Sequence, residues 1–558
     1  MFEVESAERK RLQALGEVPL WYTTQGFIMF KKKYAYNGET VKGAFTRIAT
    51  TLAKHSPFPD AKDKFFELLW SGKLAPSTPV MSNTGTPRGM SVSCAGNYIG
   101  DSVAEFYEGY TEIAVLSKLG FGTASYLGDI RPRGSIIKST GTHADGILAV
   151  VDSCLDTVTK INQGGRRGAH ASYIPFSHQD FDEICGYIIQ NPGAVNIGWT
   201  FEEKDITDLK NKDPEAIRRW NEILYIRCRT GKGYLWRNDN ANALAPQAVK
   251  NSGIRIKNSQ LCTEIALPAD EEHTFTCILS SLNLTMWDSI TVEDIKWSIY
   301  FLDAVCTDFL EQAKTIKHME KAVRFTEKAR ALGLGTLGFH SLLQSKNLAF
   351  ESFDAMLLNE KIYSTIMSAA TEASQELART SGEPEWCAGT GLRNATLITI
   401  APNMSSAILA GGVSQGVEPY INNAYIQQSA AGDYVRYNPY FMELLKQKGK
   451  YSLELLKDIA QNYLGSVQHL DFLSDHEKNV FKTAYELDQN TILMLASSRQ
   501  KFIDQAQSIN LFFSADADEK YIAQVHKNFL LDPYLKSLYY LRSERGVKST
   551  KDCVACEG

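Results

Sequence analysis

Two segments near the start of the chain, "ETVKGAFTRIATTLAKH" and "DAKDKFFELLWSGKL", repeat apolar residues at helical spacing, open acidic and close basic. That pattern buries one helix face and complements the helix dipole. Residues 1–75 are therefore predicted to form a helical N-terminal domain. From "LAPSTPVMSNTGTP" to about residue 420 the pattern changes. Short β-rich runs ("SVSCAGNYIG", "ASYIPFS", "GAVNIGWTF", "LCTEIALP", "FTCILSSLNLT", "ATLITIAP") alternate with longer helical stretches. The latter include "VAEFYEGYTEIAVLSKLG", "VEDIKWSIYFLDAVCTDFLEQA" and "MLLNEKIYSTIMSAATEASQELARTS". Such alternation implies an α/β architecture with largely parallel strands. After residue 430 the pattern is mostly helical again and closes with "YLKSLYYLRSERG".

Composition narrows the class. At 558 residues the chain exceeds the size at which one hydrophobic core stops growing, so two or three structural units are expected. A net charge of −5 gives no general attraction to nucleic acid or an anionic membrane, so any polyanion must be held at a local site. No apolar stretch approaches membrane-spanning length, and "MFEVESAERKRLQALGE" has no apolar signal core. The expectation is a cytoplasmic protein without nucleic-acid or membrane partners.

Ten cysteines scattered over so long a chain argue against a disulfide framework. Cys154, Cys185, Cys228, Cys306 and Cys387 read as small buried hydrophobes. Cys553 and Cys556, in "DCVACEG", form the one close pair and read as a redox pair rather than half a zinc site. Cys94 and Cys277 fall in strand-like runs. Cys262 stands between Gln260 and Glu264, just ahead of the apolar run 265–268. In an extended chain these three side chains would face one side. A nucleophilic thiol would call for a nearby histidine, and a metal site for short ligand spacing; neither accompanies Cys262, and spacing alone leaves its chemistry open. "ATLITIAPNMSSAILAGG" reads as strand, turn and short helix, whose first amides and hydroxyls suit an anion; taken alone, a plain N-cap by Ser405 or Ser406 is the favoured reading. "INQGGRRGAHASY" is a glycine-rich loop with two arginines.

In their order these motifs resemble the large subunit of class I ribonucleotide reductases: "STPVMSNTGTPRGMSVSC", "QLCTE", "TCILSSLNL", "APNMSSA", "LYYLRSERG" and "CVAC". The resemblance implies a ten-stranded α/β barrel with a central finger loop over residues 76–530, carrying inserted helical segments and preceded by the helical domain. Residues 531–558 would hold radical-transfer tyrosines and a redox-active tail. It further implies that Cys262 carries a transient thiyl radical, that Glu264 takes the proton of the ribose 3′-hydroxyl, and that Gln260 orients hydroxyls. Cys94 and Cys277 would supply reducing equivalents and end as a disulfide. Tyr539 and Tyr540 would pass the radical, while Cys553 and Cys556 would re-reduce the site. The family usually has asparagine at position 260; glutamine keeps the amide but adds a methylene, so the loop must adapt.

Thr78, Ser93, Gly122 and the turn Pro402, Asn403, Met404, Ser405 and Ser406 would hold the substrate diphosphate and ribose. Asp101, Ser102 and Arg131 would bind a nucleoside triphosphate effector, with Gln163 and Arg167 relaying its identity. The implied reaction is reduction of ribonucleoside diphosphates to deoxyribonucleotides. No cofactor would be bound by this chain. The radical would come from a separate metal-containing small subunit, reductant from thioredoxin or glutaredoxin, and the large subunit would form a homodimer. About 75 residues precede the Thr-Pro segment, fewer than an ATP cone plus the helical domain requires, so no activity switch of its own is expected. A cobalamin-dependent relative would instead carry Asn-Pro-Cys-Gly-Glu around the radical cysteine and need no paired tyrosines. An inactive, nucleotide-binding paralogue would have no need of the cysteines and Glu264.

Overall fold

The computed structural model describes residues 2–161, 168–193, 195–429 and 432–543, with side chains for all of these except 427–436. Helices Val41–Ala53 and Ala61–Trp70 form where the periodicity predicts them. Thr40 caps the first of these by accepting from the Gly43 amide. Their apolar faces pack on the long helix Val292–Ala313 through Phe65, which meets Trp297 and Phe301 edge-on.

Five parallel strands follow one another in space: Cys94–Tyr98, Gly122–Tyr126, His170–Pro175, Ile197–Phe201 and Tyr234–Arg237. Almost every residue in them is buried, as expected of parallel strands covered on both faces. A second parallel set begins with Phe275–Asn283 and Leu332–Leu337. It continues through residues 396–400 and 505–513, joined by the bridges Leu334 to Ile398 and Ile400 to Gln507. Leu511–Phe513 then pairs in parallel with Leu541–Ser543. The two sets meet at two antiparallel seams. At one, the Cys94 strand pairs with the Phe275 strand; at the other, Ser537–Leu538 pairs with Trp236 and Leu235. Five strands and five segments thus close into a ten-stranded barrel. A buried clip holds the closure: Lys536 donates to the carbonyls of Asp504 and Gln505, while the Asp504 carboxylate accepts the amides of Leu397 and Ile398.

Residues 252–274 run through the barrel without regular structure, and 256–269 are buried except for Lys257. Space for them comes from small interior residues such as Ala124 and Ala171, and from Gly122, where an added Cβ would lie 3.1 Å from the Leu261 side chain. This is the finger loop that the resemblance implied.

Several sequence expectations are corrected. The run "LCTEIALP" is not a strand: Thr263 adopts a left-handed backbone (φ 69°), and its amide donates back to the Gln260 carbonyl, forming a turn. Gln260, Cys262 and Glu264 therefore do not alternate along an extended chain. Residues 396–400 pair through isolated bridges only. The segment around Tyr539 is extended rather than helical, because its backbone closes the barrel: the Tyr539 amide donates to Ile509 and the Leu511 amide to Tyr540. Cys228 is exposed on helix Pro214–Thr230, whose neighbouring Arg227 takes the inward position. The region after 420 opens with the hairpin Ala424–Ser429 and Gly432–Tyr437 before its helices. Among the described residues no helix is long and apolar enough to cross a membrane.

Candidate active site

An irregular segment buried inside a barrel must find partners for every peptide group. Here they come from both halves. Tyr173 donates its phenol proton to the Gln260 carbonyl (2.6 Å), and Ser259 and Ile265 bond reciprocally. On the opposite wall, Thr399 Oγ1 and the Ala506 amide donate to the Glu264 carbonyl, and Ser508 donates to the Cys262 carbonyl. The loop is thereby held at its tip, where Gln260, Cys262 and Glu264 sit.

The Gln260 amide bridges two of the cysteines. Its Oε1 accepts the Cys262 amide at 2.7 Å, and its Nε2 points at Cys94 Sγ at 3.9 Å. The extra methylene relative to asparagine is thus absorbed by a turn that folds the side chain over its own loop. Glu264 is buried, and desolvation pushes its carboxyl up to about 7, against the opposing influence of hydrogen bonds from Gln260 and Ser508. Ser508 Oγ lies 3.0 Å from Glu264 Oε2. Such a carboxyl can take or give a proton near neutrality.

Cys94 and Cys277 are direct partners across the antiparallel seam, and both are buried. Opposed residues in an antiparallel pair have Cα atoms about 4.5–5.5 Å apart, within the roughly 4.4–6.8 Å that a disulfide spans. Burial, with Cys94, Glu264 and Cys262 close by, raises the Cys277 thiol well above its ordinary range, so it is a protonated thiol at neutral pH.

At the other seam Tyr539 donates its phenol proton toward Cys262 Sγ at 3.6 Å. Its ring lies 4.1 Å from that of Tyr540, centroid to centroid. Tyr234 donates to the Tyr540 hydroxyl at 3.1 Å and tilts over Tyr539 at 4.9 Å. Arg227, fully buried, donates to the Tyr539 carbonyl at 3.0 Å. Sequence reasoning missed Tyr173, Tyr234, Arg227 and Ser508. Ser508 had a signal: in "DQAQSIN" uncharged polar residues fall at 505, 507, 508 and 510, and all four are buried.

Of the predicted substrate residues, Ser93 and Gly122 lie beside Cys94, opposite the early part of the Phe275–Asn283 strand, while the turn 402–406 meets its later part at Ser281. Asn403 stands in a left-handed conformation ahead of helix Met404–Leu409, accepts from Ser281 and donates to the Thr336 and Ala401 carbonyls. Neither Ser405 nor Ser406 is the N-cap, because both lie inside the helix. That helix packs on the strand Leu74–Pro76, which leads directly into Thr78. Thr78 bonds the Tyr34 hydroxyl at 3.1 Å. Ser93 precedes Cys94, and its carbonyl accepts the Gly122 amide.

On the outside, Asp101 and Arg131 pair with each other, Nε to Oδ2 at 2.6 Å, and Ser102 caps helix Val103–Lys118. Gln163, Arg167, Cys553 and Cys556 lie outside the described residues. Among the described residues no cluster of three or more His, Cys, Asp or Glu side chains has metal-holding geometry.

Comparison with known proteins agrees with this arrangement. The family model "Ribonucleotide reductase, barrel domain" matches residues 92–193, 198–390 and 385–541, and "Ribonucleotide reductase, all-alpha domain" matches 20–89. A Frog virus 3 protein, whose name assigns it provisionally to the ribonucleoside-diphosphate reductase large subunits, is 34% identical over 539 residues, covering 90% of this chain and 93% of its own. The ribonucleoside-diphosphate reductase large subunit of Invertebrate iridescent virus 3 is 31% identical over 579 residues, covering 87% and 90%. The solved structure of the Actinobacillus ureae class Id ribonucleotide reductase alpha subunit superimposes with a TM-score of 0.87 at 37% identity, covering 94% of this chain and 97% of that one. The barrel with its internal cysteine loop, matched over nearly the whole chain, makes this protein a member of the ribonucleotide reductase large-subunit family, a ribonucleoside-diphosphate reductase.

Proposed function

We propose that this chain reduces ribonucleoside diphosphates by a thiyl radical on Cys262, fed through Tyr540 and Tyr539 from a partner small subunit. The observation that carries the reading is the Tyr539 phenol directed at Cys262 Sγ at 3.6 Å, inside a buried site. The metal-dependent radical belongs to the partner; this chain supplies the path and the reduction.

Oxidation of Cys262 moves one electron out through the tyrosines and its thiol proton to the Tyr539 oxygen, and leaves the sulfur a neutral radical. The sulfur takes the ribose 3′-hydrogen atom, becoming a thiol again and leaving the radical on the sugar. Glu264, as carboxylate, takes the 3′-hydroxyl proton, and Gln260 orients the hydroxyls. The 2′-hydroxyl leaves as water with a proton from the thiol pair. The pair gives two electrons and two protons in all, so the products are a deoxyribonucleotide, water and a Cys94–Cys277 disulfide. The sugar finally recovers its 3′-hydrogen from Cys262. Burial supports the scheme, since a thiyl radical survives only where solvent is excluded.

Substrate would lie over Thr78, Ser93 and Gly122, with its diphosphate at Pro402, Asn403, Met404, Ser405 and Ser406. An effector triphosphate would engage Asp101, Ser102 and Arg131 at a homodimer contact, with Gln163 and Arg167 as relays. Cys553 and Cys556 would pass electrons from a thioredoxin or glutaredoxin. Replacing Cys262 by Ser tests the core of this reading: turnover with the small subunit should vanish while nucleotide binding stays intact. Substantial deoxyribonucleotide formation by that variant would overturn it.

A further inference from the structure

Ser508 is a residue to which neither the motifs nor the scheme above gives a part, yet it touches both chemical ends of the loop. Its hydroxyl donates to the Cys262 carbonyl and lies 3.0 Å from Glu264 Oε2. The side chain is buried, and its backbone amide is fixed to the Ile400 carbonyl at 2.9 Å, so it sits on the barrel wall rather than on the loop. A serine hydroxyl carries one proton and therefore donates to one acceptor at a time.

That single proton makes the two contacts depend on each other. With Glu264 ionised, carboxylate and carbonyl compete for it, and the charged acceptor wins because charge-assisted bonds are roughly twice as strong. With Glu264 protonated, its own O–H donates to Ser508 Oγ, and the serine proton is free to hold the Cys262 carbonyl. The peptide so held is the one that enters Thr263, a β-branched residue at φ 69° whose buried Oγ1 has no hydrogen-bond partner among the described residues. A left-handed threonine costs on the order of 1–3 kcal/mol and persists only where its surroundings fix it.

We propose that Ser508 is a positioning residue that couples the protonation of Glu264 to the hold on the Cys262 backbone, tightening the grip on the cysteine when Glu264 has taken a proton. The inference rests on the reading that Glu264 accepts the 3′-hydroxyl proton once Cys262 has taken the ribose 3′-hydrogen atom. It adds a timing element: the cysteine is held hardest while it must wait to return its hydrogen atom. Among the described residues, the titratable groups that feel Glu264 are the Cys277 thiol on the neighbouring strand and the Tyr173 phenol on the opposite wall, with the Cys262 thiol two positions back on its own loop. Burial raises Cys277 and Tyr173 well above their ordinary ranges, so both stay neutral while Glu264 titrates.

Infrared difference spectra of the full chain, with the Glu264→Gln variant as blank, isolate the protonated Glu264 carboxyl band and its midpoint with pH. In Ser508→Ala that midpoint should rise by about one pH unit, a tenfold change in protonation constant, and the band should move to higher frequency as its acceptor is lost. Ser508→Thr should restore both. Together with the small subunit, Ser508→Ala should lower kcat with little change in KM and shift the acid limb of kcat/KM upward; Ser508→Thr should recover it. An unchanged midpoint and band in Ser508→Ala would overturn the coupling even if Cys262→Ser is inactive. Should Ser508→Ala fail to fold, Ser508→Cys, a weaker donor of similar size, should give a smaller upward shift, and the absence of any shift would again overturn it. Retained turnover in Cys262→Ser would sink the radical assignment and leave the spectral result standing.

Discussion

Cys94 and Cys277 face each other directly across one of the two antiparallel seams of an otherwise parallel barrel. An antiparallel pair sets two side chains opposite each other on one face at a Cα separation of about 4.5–5.5 Å, and so brings two thiols from distant parts of the chain into disulfide register. The other seam carries Tyr539 and its neighbour Tyr234, and the loop between them presents Cys262 toward the tyrosines and the Gln260 amide toward Cys94.

One turnover of prereduced protein without external reductant should therefore oxidise this pair. Peptide mapping by mass spectrometry should find the peptides of Cys94 and Cys277 linked in proportion to deoxyribonucleotide formed. Replacing either with Ser should block normal turnover after radical formation. A linkage elsewhere among the cysteines would contradict the seam as the reducing centre.

Glu264 sets a pH dependence whose sign is fixed. Burial raises its carboxyl to about 7, and the carboxylate is the active form, so kcat/KM should fall as pH drops through neutrality and level off above it. Glu264→Gln should lose that limb and about 10²–10⁴-fold in rate, the usual worth of a positioned acid–base group. A flat profile in the parent protein would remove Glu264 from this role.

Gln260 holds the turn as well as the chemistry. In Gln260→Ala the buried Cys262 amide loses its acceptor, which costs on the order of 1–3 kcal/mol. Urea unfolding should show that loss, and kcat should drop more than nucleotide affinity. Stability equal to the parent would mean that water or backbone replaces the amide.

Arg131 pairs with Asp101 at the foot of helix Val103–Lys118. A triphosphate would take over the guanidinium, whose forked donors suit phosphate oxygens. Arg131→Ala should weaken deoxynucleoside triphosphate binding at least tenfold by calorimetry, equivalent to about 1.4 kcal/mol. Unchanged affinity would move the effector elsewhere.

Cys553 lies 13 residues beyond Tyr540, a length that spans roughly 43–47 Å when extended. A shuttle by thiol–disulfide exchange predicts that the double variant Cys553→Ser, Cys556→Ser completes one turnover when prereduced. It should then stall with thioredoxin and recover with a small dithiol. Full activity with thioredoxin would exclude the shuttle.

The sequence by itself determined the local elements and the inventory of chemistry. Helix Val292–Ala313 and strand Phe275–Asn283 lie where their periodicities put them, because propensity and burial pattern are local properties. The order of the cysteine, phosphate-turn and tyrosine motifs was enough to suggest the family. What no local pattern carries is registry between distant segments. The turn at Thr263 breaks an alternation that looked like a strand, since Gln260 folds back on the Cys262 amide and the barrel walls take the loop's other peptide groups. The extended course of Tyr539 follows from its pairing with Ile509, against an apparently helical pattern. Ser508 became legible only when residues 505–513 closed the barrel beside the loop, because a hydrogen bond across 244 positions of sequence exists only once the chain has closed on itself.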